Sequence, residues 1–418
     1  MKKHGKKSTA KRIIALLVTA AVLILTMRVA FVFVEKRLNS IRTVSSADVT
    51  ATDVPKQTVT VSFQDETVEI GKGLSCQLKA TGGERIVYRT SDEAVATVDE
   101  KGMITGAGVG ECSITAENEE GSSAVCKVTV KKTCYLTVDD GPTENTEAIL
   151  KVLKENHVRA TFFVVHSPQL YLTKNMQDQG CVVGLHSYSH IFVKCYATDY
   201  SYFYGLDLLS DAVEQYTGTR PNLIRFPGGT HNTRCNLLRM RRILNGAYDF
   251  GYRPFDWTST TADTSKKASA KYSFDNVKKS CVRDEEIILM HDRDFNVEAL
   301  KKIIPYLRKQ GYIFETLDHY PRDSFTGKPR YSRQHADSPA TAVKITHEYF
   351  SIYKGSSFVL VAKMTPIDST DYVRWESSDP SIAEVKSSGC VYGISKGTVD
   401  IYAITSSGQR GVCHLTVK

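Results

Sequence analysis

Tyr135 to Pro142 reads YLTVDDGP, an apolar run that ends in two acids and then in Gly141-Pro142. The run has the composition of a buried strand, and its Asp-Asp-Gly-Pro end opens into a turn. Successive strand side chains point to opposite faces, so Asp139 and Asp140 at a strand tip can serve different ends. One can hold a metal while the other handles protons. The pair by itself is also an ordinary turn, and its meaning rests on its partners further along the chain.

Working outward, residues 132–322 alternate strands with helical stretches. Helices are expected near 144–156, 168–178, 200–217, 232–246 and 297–309, between the apolar runs ATFFVV, CVVGLHS, LIRFPGG, the approach to PFDWTS, EIILMHD and YIFETL. Such alternation predicts parallel strands with crossover helices, an α/β barrel-like fold with its functional groups at the carboxyl ends of the strands. The polar motifs all sit at those ends. As a complete alternating set, the unit is expected to fold without its neighbours.

The flanks have another character. From Thr58 the chain shows short alternating strands punctuated by glycine, the pattern of a small antiparallel sandwich. The same unit returns at the other end: VYRTSDEAVATVDEKGMITG is matched by VRWESSDPSIAEVKSSGCVYG, with Asp92 answering Asp379, Ala96 Ala383, Gly102 Gly389, Gly106 Gly393, Gly110 Gly397 and Cys126 Cys413. Both segments, 56–131 and 342–418, resemble bacterial immunoglobulin-like domains of group 2. The resemblance implies cell-surface spacer or adhesion modules, with contacts to wall polymer or to other surface proteins.

At the N-terminus, residues 1–12 carry six basic side chains and no acid, and an apolar run follows at 13–34, broken by Arg28. Its length matches the roughly 20 residues of a membrane-crossing helix, and the basic flank would stay cytoplasmic. A single-pass anchor in the cell membrane, with everything after Glu35 outside, is expected; a cleaved signal peptide is the competing reading. Residues 35–55 read as a polar stalk, and 323–341 as a second linker. The net charge of +8 falls to +2 without the six basic residues of the tail, so the composition carries no nucleic-acid footprint. Ten cysteines are scattered through apolar stretches and do not form a dense framework.

HSYSH, His186 to His190, follows the strand VVGL and spaces two imidazoles by four, so that one helical turn would bring both to one side of a metal. With Asp140 they make a two-histidine, one-carboxylate set with open positions for water and substrate, as a hydrolytic metal site requires. The absence of HExxH disfavours a zincin peptidase.

VDDGP, HSYSH, RFPGG, FDW and ILMHD stand in the order and rough spacing of the NodB-homology polysaccharide deacetylases, carbohydrate esterase family 4, which 132–322 resembles. The resemblance implies Asp139 as catalytic base, Asp140, His186 and His190 as ligands of one divalent metal ion, Arg225 as the arginine orienting the base and Asp256 as the acid pairing with that arginine. It implies His291 as catalytic acid, and a substrate pocket of Pro227, Gly228, Gly229, Trp257 and Leu289. Backbone N–H groups near Gly141 to Thr143 could add an oxyanion site. The ion expected is Zn, with Co, Ni, Fe or Mn fitting the same ligands. Val138 and Gly228 depart from the family pattern, the latter standing where many members carry an aromatic residue and so reshaping one groove wall.

The expectation is a membrane-tethered, metal-dependent hydrolase that removes N-acetyl groups from a polysaccharide, most accessibly the GlcNAc or MurNAc residues of peptidoglycan. Chitooligosaccharides, an exopolysaccharide or an O-acetylated glycan are the alternative substrates. A surface adhesin or wall-binding scaffold with an inactive centre is the reading from a different class, and the intact five-motif set argues against it.

Overall fold

The computed structural model describes residues 59–83, 85–321 and 338–418; the tail, the apolar run and the stalk up to residue 55, and nearly all of the linker at 323–341, lie outside the described residues. Among the described residues no helix is long and apolar enough to cross a membrane.

The middle of the chain is a distorted barrel of parallel strands: β1 (Ser123–Asp139), β2 (Thr161–Val165), β3 (Val182–Ser187), β4 (Leu223–Ile224), β5 (Arg253–Pro254), β6 (Ser259–Thr260), β7 (Glu285–His291) and β8 (Tyr312–Glu315). They lie side by side in the order β5-β4-β3-β2-β1-β7-β6, with β8 beside the lower part of β1. The connections are α1 (Thr146–Glu155), α2 (Leu172–Asp178), α3 (Phe192–Cys195), α4 (Ser201–Thr217), α5 (Leu237–Asp249), α6 (Ala270–Ser280) and α7 (Asp294–Lys309).

Period-two alternation divides β1 cleanly. Cys134, Leu136 and Val138 join the apolar layer shared with the helices, including Ile149, Leu153, Leu300 and Ile304. Tyr135 turns instead into the barrel, onto Phe163, Leu223, Phe255 and Ile287. Thr137 and Asp139 follow Tyr135 on the inner face. Val138 is therefore a helix-facing core residue, 1% exposed.

The two flanking segments fold alike. In each, a strand pairs in parallel with the last strand, Thr67–Gly71 with β1 and Tyr349–Ile352 with Arg410–Val417. In each, a three-stranded sheet packs opposite, and the paired glycines Gly102 and Gly389 both hold a φ near +80°. A Cβ at either would lie within 3.0 Å of an aromatic ring, Tyr88 in the first and Trp375 in the second, which is why the repeat keeps glycine there.

The boundary expected at 131/132 falls inside β1, one 17-residue strand that pairs with the first sandwich at Lys127–Lys131 and with the barrel from Lys132 onward. The second sandwich packs on α4, on its approach and on α5. Tyr200 is part of its core and meets the Trp375 ring edge-on, Asp207 accepts hydrogen bonds from Ser388 and Ser387, and Arg242 donates to the carbonyls of Ser369 and Ile367. A fragment spanning 130–322 would expose these groups. It is expected to melt below the full chain, by about 2–4 °C for each kcal/mol of lost cover. Equal thermal midpoints would show that the seam adds nothing to barrel stability.

Candidate active site

Every polar group of the site leaves a strand at its carboxyl end. Asp139 is the last residue of β1, His186 is the penultimate residue of β3, Arg225 follows β4, Asp256 follows β5, and His291 ends β7. Asp140 departs from the strand with φ +71°, a left-handed conformation that aspartate tolerates better than most residues. It breaks the alternation, so both carboxylates reach His186: Asp139 Oδ2 lies 3.8 Å and Asp140 Oδ1 3.5 Å from its Nε2. Gly141 is required where it stands, because a Cβ there would sit 2.5 Å from Asp292 Oδ2.

Asp140, His186 and His190 form a group that could hold a metal ion, with ligand atoms within 4.8 Å of one another. The chemistry of the set fits that use. Asp140 Oδ1 is buried without a hydrogen-bond partner, which is costly unless a cation takes its lone pairs. His186 Nδ1 lies 2.7 Å from the Arg225 carbonyl, so Nδ1 carries the proton and the Nε2 lone pair faces the group. Burial pushes the His186 pKa down to about 3, keeping the ring neutral as a ligand must be. The spacing of four is not met by a helical turn as expected: His186 is on β3, and His190 is reached through a bend, with φ +51° and its N–H on Ser187 Oγ at 3.0 Å.

Asp139 is 2% exposed and pairs with Arg225, Nη1 to Oδ1 at 2.8 Å. The guanidinium is fully buried; it donates also to Thr137 Oγ1 and to the carbonyls of Phe255 and Asp256, and lies over the Phe163 and Trp257 rings. Asp256 thus meets Arg225 through its main chain, not through the carboxylate pairing expected of it. Its carboxylate accepts from Thr230 N–H and Oγ1–H instead, in the loop after β4. Burial raises the Asp139 pKa above the usual carboxylate range, with Arg225 and His291 opposing the rise.

The partner of His291 is a residue that sequence reasoning missed, Asp263. Its Oδ1 lies 2.7 Å from His291 Nδ1, its Oδ2 accepts the His291 main-chain N–H, and the buried Asn296 donates to the same oxygen. Burial disfavours the imidazolium, yet the Asp263 hydrogen bond and charge outweigh it, and the His291 pKa is raised. Asp263 follows the tip of β6 just as the other site residues follow theirs; a two-residue strand with no apolar run hid that position.

The pocket residues are split. Trp257 packs against Gly229, whose Cβ would come within 3.1 Å of the ring, and Leu289 is buried on β7. Pro227 turns its carbonyl to Tyr196 Oη. At Gly228, φ is +75° and a Cβ would meet the Phe192 ring at 3.0 Å, so α3 fills the space that an aromatic residue at 228 would use. The expected oxyanion donors are largely spent: Pro142 has no N–H, and that of Thr143 is taken by Thr146 Oγ1 at 2.8 Å. All ten cysteines are free thiols.

A buried arginine-held carboxylate, a carboxylate-held imidazole and a three-ligand cradle, all on the carboxyl rim of one parallel barrel, define a hydrolase of the α/β class. The profile of the polysaccharide deacetylase family matches residues 127–244, and that of the bacterial Ig-like domain, group 2, matches 339–414. Peptidoglycan-N-acetylglucosamine deacetylase of Bacillus cereus is 31% identical over 205 residues, 46% of this chain and 72% of that protein. Peptidoglycan-N-acetylmuramic acid deacetylase PdaA of Bacillus subtilis is 33% identical over 199 residues, 46% of this chain and 72% of that one. Among solved structures, the catalytic domain of peptidoglycan N-acetylglucosamine deacetylase from Eubacterium rectale shares 31% identity over 45% of this chain and 89% of its own, with a TM-score of 0.43. The chain belongs to the polysaccharide deacetylase family and is an enzyme of that class, its deacetylase domain followed by an Ig-like domain.

Proposed function

We propose that this chain removes N-acetyl groups from the GlcNAc or MurNAc residues of peptidoglycan, using one divalent ion, Zn in the first place, held by Asp140, His186 and His190. The observation that carries the reading is the pairing of two opposed proton-handling devices, Asp139 with Arg225 and His291 with Asp263, across one rim. The names of the relatives above support the substrate class. The basic tail and the apolar run at 13–34 support a membrane anchor that places the enzyme beside the wall.

Bound in that cradle, the ion supplies Lewis acidity, which acidifies water and polarises the acetyl carbonyl. Asp139 takes the proton of the attacking water, its basicity raised by burial and its orientation held by Arg225. His291, held by Asp263, gives a proton to the departing amine. Trp257 and Leu289 wall the acetyl methyl. The test is acetate release from a panel of glycans with and without a chelator: chelator-sensitive release from peptidoglycan is expected, and release only from O-acetylated glycans overturns the assignment.

The Asp263–His291 pair also sets a pH dependence. With its pKa raised, His291 stays protonated to higher pH, and activity is lost as pH rises through that pKa. Asp263→Asn removes the charge that raises it, so the alkaline limb of kcat/KM should move to lower pH while metal content is unchanged. An unmoved limb would assign the acid to another group.

A further inference from the structure

The two sandwiches are copies of one fold, and one carries a surface device that the other lacks. Tyr349, 72% exposed as a residue, begins the strand that pairs with Arg410–Val417, and its ring lies against His414 at 5.0 Å between centroids. His414 Nδ1 is 2.7 Å from Asp400 Oδ1 on the next strand, Asp400 Oδ2 accepts from Tyr402 Oη at 3.2 Å, and the Asp400 main-chain N–H donates to Ser378 Oγ at 3.0 Å. The row Tyr349, His414, Asp400, Ser378 crosses the outer face of the sheet and lines a cleft of about 510 Å³ with Thr398 and Thr416.

The first sandwich has the same frame beneath different side chains. Ser113 N–H donates to Ser91 Oγ at 2.9 Å, the counterpart of Asp400 on Ser378, and Thr67 pairs with Lys127 where Tyr349 pairs with His414. Threonine, lysine and serine therefore suffice for the fold, and the Tyr-His-Asp row is an addition to it. An exposed aromatic face ringed by a carboxylate, an imidazole and hydroxyls matches the chemistry of a pyranose, whose axial C–H groups stack on a ring while its hydroxyls pair with the polar rim. Asp400 engages Nδ1 of the part-exposed His414, which leaves Nε2 as a further hydrogen-bonding group, and none of these groups is needed by the barrel.

We propose that this cleft of the C-terminal sandwich is a glycan-binding site that holds a hexosamine polymer while the barrel deacetylates it. The proposal rests on the polysaccharide-directed activity read above. The full chain should co-sediment with an insoluble polymer of β-linked N-acetylglucosamine. Tyr349→Ala, on an exposed ring, should lower the retained fraction by about ten-fold, the usual scale for losing an aromatic anchor. Asp400→Ala should act in the same direction, Thr67→Ala at the mirror position should change nothing, and turnover of a soluble chitooligosaccharide should stay at wild type in all three. A wild-type chain that is not retained, or Tyr349→Ala retained as well as wild type, overturns the site. Retention that depends on Tyr349, in a chain that turns over no N-acetylated glycan, keeps the site and overturns the deacetylase reading instead.

Discussion

Asp139→Asn should retain metal near the wild-type content while turnover falls by about 10²- to 10⁴-fold, the usual worth of a positioned proton transfer. The asparagine keeps an oxygen for the Arg225 Nη1 that now lies 2.8 Å from Asp139 Oδ1, so the frame of hydrogen bonds survives. Asp140→Asn should do the reverse in order of cause: metal is lost, and activity with it, because Oδ1 is the buried atom without a hydrogen-bond partner between the two imidazoles, 3.5 Å and 3.4 Å from their Nε2 atoms. His186→Ala should likewise lose metal and turnover together. Metal content by elemental analysis and acetate release, measured side by side on the two aspartate variants, separate base from ligand. Metal lost from Asp139→Asn and kept in Asp140→Asn would exchange the two roles.

Arg225→Met should cost about 3–5 kcal/mol at neutral pH, the range for removing one partner of a buried ion pair. Both side chains of the pair are almost fully excluded from water, 0% and 3% exposed, and in the metal-free protein, where the stability is to be measured, Asp139 would be left with no charge opposite it except what His291 supplies. The sign with pH follows from linkage. The Asp139 pKa is already raised in the fold, and removing Arg225 raises it further. A carboxylate of raised pKa favours the folded state below its unfolded pKa and loses that contribution as pH rises through the folded value. The gap between variant and wild type should therefore be smallest near pH 4 and widen towards neutrality. Urea midpoints at the two ends of that range check it; a gap independent of pH would mean that lost packing on Phe163 and Trp257, and not an uncompensated charge, carries the cost.

Much of this protein was legible before any coordinate. Alternation of period two and of helical period foretold the barrel, because burial on one face imposes those periods on the chain itself. The glycines that recur at 102 and 389 announced the repeated sandwich, since a positive φ against an aromatic ring leaves few substitutes. Asp140, His186 and His190 could be grouped from residue type and strand-end position alone. Four features belong to tertiary structure. Asp263 is 28 residues from His291, and only the packing of β6 beside β7 brings them together. Arg225, carried just past β4, meets the Asp139 carboxylate at the end of β1 and the Asp256 carbonyl beyond β5, a meeting of three strands that no spacing encodes. Phe192 answers Gly228 across a loop. The 17 residues of β1 join two units that composition separates, because a strand can pair with one sheet at its start and another at its end, and hydrogen-bonded pairing is decided by neighbours distant in sequence.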